Sequence, residues 1–138
     1  MSHSGGCLCG DVRFTAELAG SSTGACHCDT CLSWAGGPFF GVQTTSITFQ
    51  SDATLRAYTS SEWAERGFCG TCGSTLFYRL TVDGPRKGQT NIALGSLDDT
   101  SGIELGYELF IDNKPSAYAF VGDHKRMTGD EVMGRAMS

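Results

Sequence analysis

The chain has 138 residues, of which 40% are hydrophobic and 18% charged, and its formal net charge is −5. This size fits one domain spanning residues 1–138, and the lack of charge runs or low-complexity tracts argues against a disordered tail. No apolar stretch reaches the roughly 18 residues that cross a bilayer, and the first residues lack a signal-peptide pattern, so we expect a cytoplasmic protein without membrane contact. The acidic balance argues against binding to nucleic-acid phosphates.

Short strands separated by turn residues are predicted along most of the chain. In residues 11–18 every second side chain, from Val12 to Leu18, is apolar, which is the period of a half-buried strand. The other candidate strands are Phe39–Gln43, Ser46–Phe49, Leu55–Thr59, Ser74–Leu80, Asn91–Leu97 and Gly106–Ile111. Regular short strands between turns indicate a mainly β, antiparallel domain with little helix.

Two short helices are predicted. Residues 29–35 suit one helical turn, and Thr128-Gly-Asp-Glu131 forms a capping box that opens a short helix near the C-terminus. Two basic clusters, Arg86-Lys87 and His124-Lys125-Arg126, lack the interleaved aromatic residues of a single-strand reader. We interpret both clusters as solvated loops.

The seven cysteines lie in three close groups: Cys7 and Cys9, then Cys26, Cys28 and Cys31, then Cys69 and Cys72. Closely spaced cysteines in a reducing compartment bind metal or perform redox chemistry. A disulfide framework would leave one of seven thiols over, whereas a division into four and three uses them all. The sequence therefore predicts two zinc sites.

The pairs Cys7-Leu-Cys9 and Cys69-Gly-Thr-Cys72 each precede a predicted strand, and each resembles a knuckle that presents two sulfurs to one ion. Four thiolates would fill a tetrahedral shell, which is the pattern of a structural zinc. Gly10, Gly70 and Gly73 permit the tight turns that such knuckles need. Spacing alone leaves open which pairs share an ion, and a redox pair is the alternative for Cys69 and Cys72.

The cluster Cys26-His27-Cys28-Asp-Thr-Cys31 offers three sulfurs within six residues. In an extended chain His27 points away from Cys26 and Cys28, so we interpret His27 as structural rather than as a fourth ligand. The sequence brings neither His3 nor His124 to this cluster. Three protein ligands with an open position are typical of catalytic zinc, and a sulfur-rich site suits a thiol substrate presented as a nucleophile.

Two alternatives remain for this cluster. In one, a solvent molecule closes the shell and the site has no turnover. In the other, another protein's side chain completes the shell, which would make the chain a non-catalytic zinc-binding interaction module. The neighbouring segment Trp34-Ala-Gly-Gly-Pro-Phe-Phe40 could wall a pocket over the metal, but core packing is the favoured interpretation of Phe39 and Phe40.

The chain resembles the glutathione-dependent formaldehyde-activating enzyme family, which includes centromere protein V and whose members share a β-tent zinc fold. The motifs that carry the resemblance are Gly6-Cys7-Leu-Cys9-Gly10, Cys26-His27-Cys28-x-x-Cys31, Arg66-Gly-Phe68-Cys69-Gly-Thr-Cys72-Gly73-Ser74, Leu94-Gly95-Ser-Leu97-Asp98 and, more weakly, Phe110-Ile-Asp-Asn-Lys114-Pro115. Two positions depart from the family pattern. Members often carry a basic residue after the third cysteine of the cluster, where this chain has Leu32-Ser33, and a histidine where it has Glu108.

The resemblance implies a structural zinc held by Cys7, Cys9, Cys69 and Cys72 and a catalytic zinc held by Cys26, Cys28 and Cys31. It also implies a carbon-sulfur lyase activity like that of S-(hydroxymethyl)glutathione synthase, in which the glutathione thiolate adds reversibly to formaldehyde. The expected cofactors are two Zn²⁺ per chain, and the expected partners are a small thiol and a small carbonyl compound. The residue patterns name no general base.

Overall fold

The computed structural model describes residues 2–136, and its secondary structure is mainly β, which confirms the predicted fold class. The strands of this part are β1 Ser2–Gly6, β2 Arg13–Leu18, β3 Ser22–Cys26, β4 Phe39–Ser51, β5 Leu55–Thr59, β6 Ala64–Cys69, β7 Thr75–Leu80, β8 Thr90–Ala93, β9 Glu104–Leu109 and β10 Lys125–Met127. The helices are α1 Asp29–Ala35 and α2 Gly129–Ala136, with 3-10 turns at Leu94–Ser96 and Ile111–Asn113. None of the helices within residues 2–136 is long and apolar enough to cross a membrane.

The chain forms two compact units, each built from two stretches of sequence. The first contains the described residues up to Ser21 and Gly41–Ile103, and the second contains Ser22–Phe40 and the described residues from Glu104 onward. In the first unit, β2 pairs with β1 and β4, β8 pairs with β4 and β7, and β6 pairs with β5 and β7, all antiparallel. The expectation of one domain over 1–138 stays a prediction.

The core of the first unit confirms the alternation predicted for β2. Val12, Phe14 and Ala16 are buried, and they pack with Phe77, Ile92 and other apolar side chains. Cys7 and Cys69 belong to the same core cluster, so the apolar packing that holds the strands together also fixes two sulfurs. Because both cysteines are buried in this core, replacing either one with a smaller residue should destabilise the first unit.

The strand β4 corrects the predicted pair of strands at Phe39–Gln43 and Ser46–Phe49. It runs unbroken for 13 residues, and a register shift opposite Glu17 and Leu18 leaves Thr45 without a partner in β2. A bulge of this kind changes which face each side chain occupies, and this explains why the alternation breaks there without ending the strand.

The second unit departs from the antiparallel expectation. The strand β9 pairs in parallel with both β3 and β10. Between Thr23 and Gly24 the register shifts so that Gly106 has no partner in β3, and beyond this shift Gly24 pairs with Tyr107 and Cys26 with Leu109.

The interpretation of the basic cluster at residues 124–126 as a loop was wrong, because the strand β10 begins at Lys125.

Candidate metal centres

The first unit brings Cys7, Cys9, Cys69 and Cys72 together. Their four Sγ atoms all lie within 4.8 Å of one another, and the cysteines form no disulfide. The Sγ of Cys9 lies 3.6 Å from that of Cys7 and 3.9 Å from that of Cys69. A tetrahedron with metal–sulfur bonds of about 2.3 Å has edges of about 3.8 Å, so this donor set fits a zinc ion.

Two turns of similar form present these sulfurs. Gly10 follows the first pair with φ 85° and Gly73 follows the second with φ 78°, a backbone region that only glycine occupies without strain. In each turn the glycine N–H donates to the carbonyl of the first cysteine, at 3.2 Å for Gly10 and 2.8 Å for Gly73. The sulfur of Cys7 also accepts the N–H of Val12 at 3.2 Å. Both pairs therefore have the knuckle form that the spacing predicts.

Polar neighbours favour the ionised form of two of these thiols. The Ser74 hydroxyl, 3.2 Å from the Sγ of Cys72, is the main reason that the pKa of Cys72 falls to about 5. A contact of 3.4 Å with the Thr54 hydroxyl lowers the pKa of Cys69 in the same way. Hydrogen bonds to the charged form stabilise it, and thiolate is the form that a metal binds.

The second unit brings Cys26, Cys28 and Cys31 together, and their Sγ atoms also lie within 4.8 Å of one another. Cys26 ends β3, Cys28 is the extended N-cap residue of α1, and Cys31 lies in the first turn of that helix. The N–H of Cys31 donates to the Sγ of Cys28 at 3.3 Å. The segment therefore runs extended through Cys28 and then curls, and this curl gathers the three sulfurs.

These three thiols lie so close together that their negative charges would repel one another. Their ionisation is therefore unfavourable in the absence of a cation. Hydrogen bonds with the thiols of Cys28 and Cys31, together with burial, raise the pKa of Cys26. A dication offsets the repulsion between thiolates, so the chemistry of this donor set fits a soft metal such as zinc.

His27 faces away from the sulfurs and is completely buried. Its Nε2 lies 2.8 Å from Oε1 of Glu108, and its Nδ1 lies 2.9 Å from the hydroxyl of Tyr118. Its backbone N–H donates to the carbonyl of Leu109 at 3.0 Å, and its carbonyl accepts from Nδ2 of Asn113 at 2.8 Å. Each polar group of His27 thus has a protein partner, which holds the residue between Cys26 and Cys28 in place.

Glu108 is the centre of a buried network that the sequence analysis did not find. Its Oε2 lies 2.5 Å from Nε2 of His124 and 3.1 Å from Nε of Arg126. Burial alone would raise the pKa of Glu108, but hydrogen bonds with His124 and His27 outweigh burial, and the pKa lies below its usual range. The only signal in the sequence was the departure from the family pattern at this position, because the partners come from distant parts of the chain.

The aromatic segment after α1 packs within the second unit. Phe39 is buried and its ring lies 5.4 Å from that of Trp34, which confirms the core interpretation for Phe39. The ring of Phe40 meets that of Phe120 edge-on at 5.5 Å. The idea that this segment walls a pocket over the metal stays a prediction.

Comparison with known proteins agrees with these motifs. Residues 2–113 match the family model described as glutathione-dependent formaldehyde-activating enzyme. The chain belongs to this family. It is also 33% identical over 132 residues to a protein from Schizosaccharomyces pombe described as an uncharacterized lyase, and the match covers 95% of this chain and 94% of that protein. Family membership therefore rests on nearly the whole chain rather than on the cysteines alone.

Proposed function

We propose that this chain is a zinc-dependent carbon-sulfur lyase that catalyses the reversible addition of a thiol to a small aldehyde. Glutathione and formaldehyde are the substrates that the family indicates, and S-(hydroxymethyl)glutathione is then the product. The observation that carries the proposal is the gathering of three sulfur donors, Cys26, Cys28 and Cys31, in a member of this family.

In this proposal the two cysteine clusters have different roles. The four sulfurs of Cys7, Cys9, Cys69 and Cys72 would complete the shell of a structural zinc, which stabilises the first unit. The three sulfurs of the second cluster would hold a zinc that keeps the substrate thiol ionised at neutral pH. We also propose a cytoplasmic location, because seven cysteines without a disulfide suit a reducing compartment.

The residues of the chain support this chemistry by fixing the site. His27 is anchored by Glu108 and Tyr118, so the two sulfurs on either side of it keep their direction. The helix α1 holds Cys31 at a fixed distance from Cys28. A site held rigidly presents its substrate in one orientation, which lowers the entropic part of the barrier to addition.

Exchange spectroscopy by nuclear magnetic resonance tests the proposal, because the thiol and formaldehyde also combine slowly without a catalyst. Adding the zinc-loaded protein to an equilibrium mixture of glutathione and formaldehyde should raise the exchange rate between free and adducted thiol. Cys28→Ser should return the rate to background while the first unit stays folded. An exchange rate at background with the wild-type protein, across glutathione, cysteine and other small thiols, would reject the proposal.

A further inference from the structure

Tyr107 lies on the same face of the second unit's sheet as the sulfur of Cys26. In the parallel pairing of β3 with β9, Tyr107 is the partner of Gly24 and Leu109 is the partner of Cys26. Paired residues in neighbouring strands point to the same face of a sheet, and residues two apart in one strand share a face. Glu108, between them, points to the opposite face, where it meets His27.

The ring of Tyr107 lies directly over the backbone of Gly24. A Cβ added to Gly24 would lie 2.1 Å from Cε2 of Tyr107 and 2.4 Å from Cζ, the atom that carries the hydroxyl. Only glycine leaves space for the ring in this position. Since Gly24 precedes Cys26 by two residues on this face, the Tyr107 ring lies about 6.6 Å along the strand from Cys26.

The hydroxyl of Tyr107 is available for a ligand. Within residues 2–136 it forms no hydrogen bond, and it is not among the buried polar atoms that lack a partner, so it remains open to solvent. The side chain itself is partly buried. A tyrosine hydroxyl is a hydrogen-bond donor throughout the neutral range.

We infer that Tyr107 is a catalytic residue, which donates its hydroxyl proton to the carbonyl oxygen of the aldehyde while the thiol adds. The inference rests on the proposed function. The sulfur electron pair forms the new carbon–sulfur bond, and the π pair of the carbonyl moves to oxygen and takes the proton from Tyr107. The thiol proton released on ionisation passes to solvent, and solvent returns one proton to Tyr107. In the reverse direction each transfer is reversed.

The first test is Tyr107→Phe, which removes the hydroxyl and keeps the ring over Gly24. Loss of one donor to a developing oxyanion lowers kcat by about 10²- to 10³-fold. Zinc per chain and the Kd for glutathione alone should stay at wild-type values, because the hydroxyl contacts the aldehyde oxygen and not the thiol. Tyr58→Phe is the matched control, since Tyr58 on β5 is 67% exposed and should keep full activity.

A binding measurement gives a second readout that does not depend on turnover. The wild-type protein should bind the hydroxymethyl adduct of glutathione more tightly than S-methylglutathione, which lacks the hydroxyl. Tyr107→Phe should bind the two compounds equally. Gly24→Ala, which displaces the ring, should lose the same preference.

The outcomes separate this inference from the proposed function. A wild-type protein that fails to accelerate adduct formation rejects both. An active wild-type protein with Tyr107→Phe retaining at least half of its kcat, or retaining its preference for the adduct, rejects the role of Tyr107 alone.

Discussion

The carboxylate of Glu108 lies 2.8 Å from the ring of His27, on the face of the sheet opposite to the sulfur of Cys26. The same carboxylate meets His124 and Arg126, so one buried anion connects β9 and β10 to the segment between Cys26 and Cys28. This contact positions the sulfurs of Cys26 and Cys28 without touching them.

Removing this carboxylate should loosen the three-sulfur site. Glu108→Ala leaves His27, His124 and Arg126 without their shared acceptor, and loss of an outer partner of a metal site costs about 10- to 100-fold in metal affinity. In competition with a coloured chelator, the variant should release one zinc per chain at a lower chelator concentration than the wild type. Glu108→Gln, which keeps one acceptor oxygen, should lose less affinity.

The four-sulfur cluster is the internal control for this experiment, because Cys7, Cys9, Cys69 and Cys72 all belong to the first unit. Its zinc should resist the chelator equally in the wild type and in both variants. Equal weakening of both zincs would contradict the assigned role, since it would indicate general destabilisation.

Loss of one cysteine from each cluster should have different consequences for stability. Cys72→Ser removes a donor from a closed shell, and because structural zinc contributes directly to folding it should destabilise the first unit by about 3 kcal/mol or more. Cys28→Ser should abolish activity with a much smaller effect on thermal unfolding. Calorimetry of the two variants checks this, and a larger loss for Cys28→Ser would contradict the division of roles.

The core of the first unit depends on close contact between Gly67 and Phe77. The two residues are cross-strand partners, and a Cβ on Gly67 would lie 2.3 Å from the Phe77 ring. Gly67→Ala should therefore destabilise the protein by about 1 to 3 kcal/mol through overpacking. Denaturant unfolding measures this, and Gly20→Ala is the control, because nothing lies within 4 Å of a Cβ at Gly20.

The capping box of α2 should make that helix sensitive to acid. Glu131 accepts the backbone N–H of Thr128 at 3.1 Å, which is the main reason that its pKa lies below the usual range, and the N–H of Glu131 donates to the Thr128 hydroxyl at 3.2 Å. The contribution of this carboxylate is complete above its ordinary pKa near 4.5 and is lost as pH falls through the lowered value.

Hydrogen exchange of the α2 amides tests this prediction. Protection should fall with acid in the wild type more steeply than in Glu131→Gln, and comparing the two proteins at each pH cancels the effect of acid on the metal sites. If protection falls equally steeply with acid in the wild type and in Glu131→Gln, the prediction is contradicted. At neutral pH, Thr128→Ala should lower the stability of the helix by about 1 kcal/mol.

Local patterns in the sequence predicted those elements whose own residues determine them. The helix α1 and the strand β5 have the predicted bounds, and the capping box of α2 forms as expected. The strands β1, β3, β6 and β10 were missed. Of these, β3 contains small residues without a clear alternation, and β6 carries Arg66, which is buried and lies over the ring of Tyr78 at 4.9 Å.

In the candidate site, too, the sequence predicted only those features that residues close in sequence determine. Cysteine number and spacing identified the two pairs and the triplet, because the members of each lie close in sequence, whereas the joining of the two pairs in one cluster was implied only by the family resemblance. Tyr107 and Glu108 could not be found in this way, since their partners in β3 and beyond are about eighty residues earlier and only the parallel register brings them together.

Zinc per chain in protein purified under reducing conditions tests the central claim most directly, because both proposed roles depend on two separate sites. Elemental analysis should find two zinc ions in the wild-type chain and one in a folded Cys28→Ser variant. One zinc ion in the wild-type chain, unchanged in Cys28→Ser, would contradict the account, because Cys26, Cys28 and Cys31 would then hold no metal.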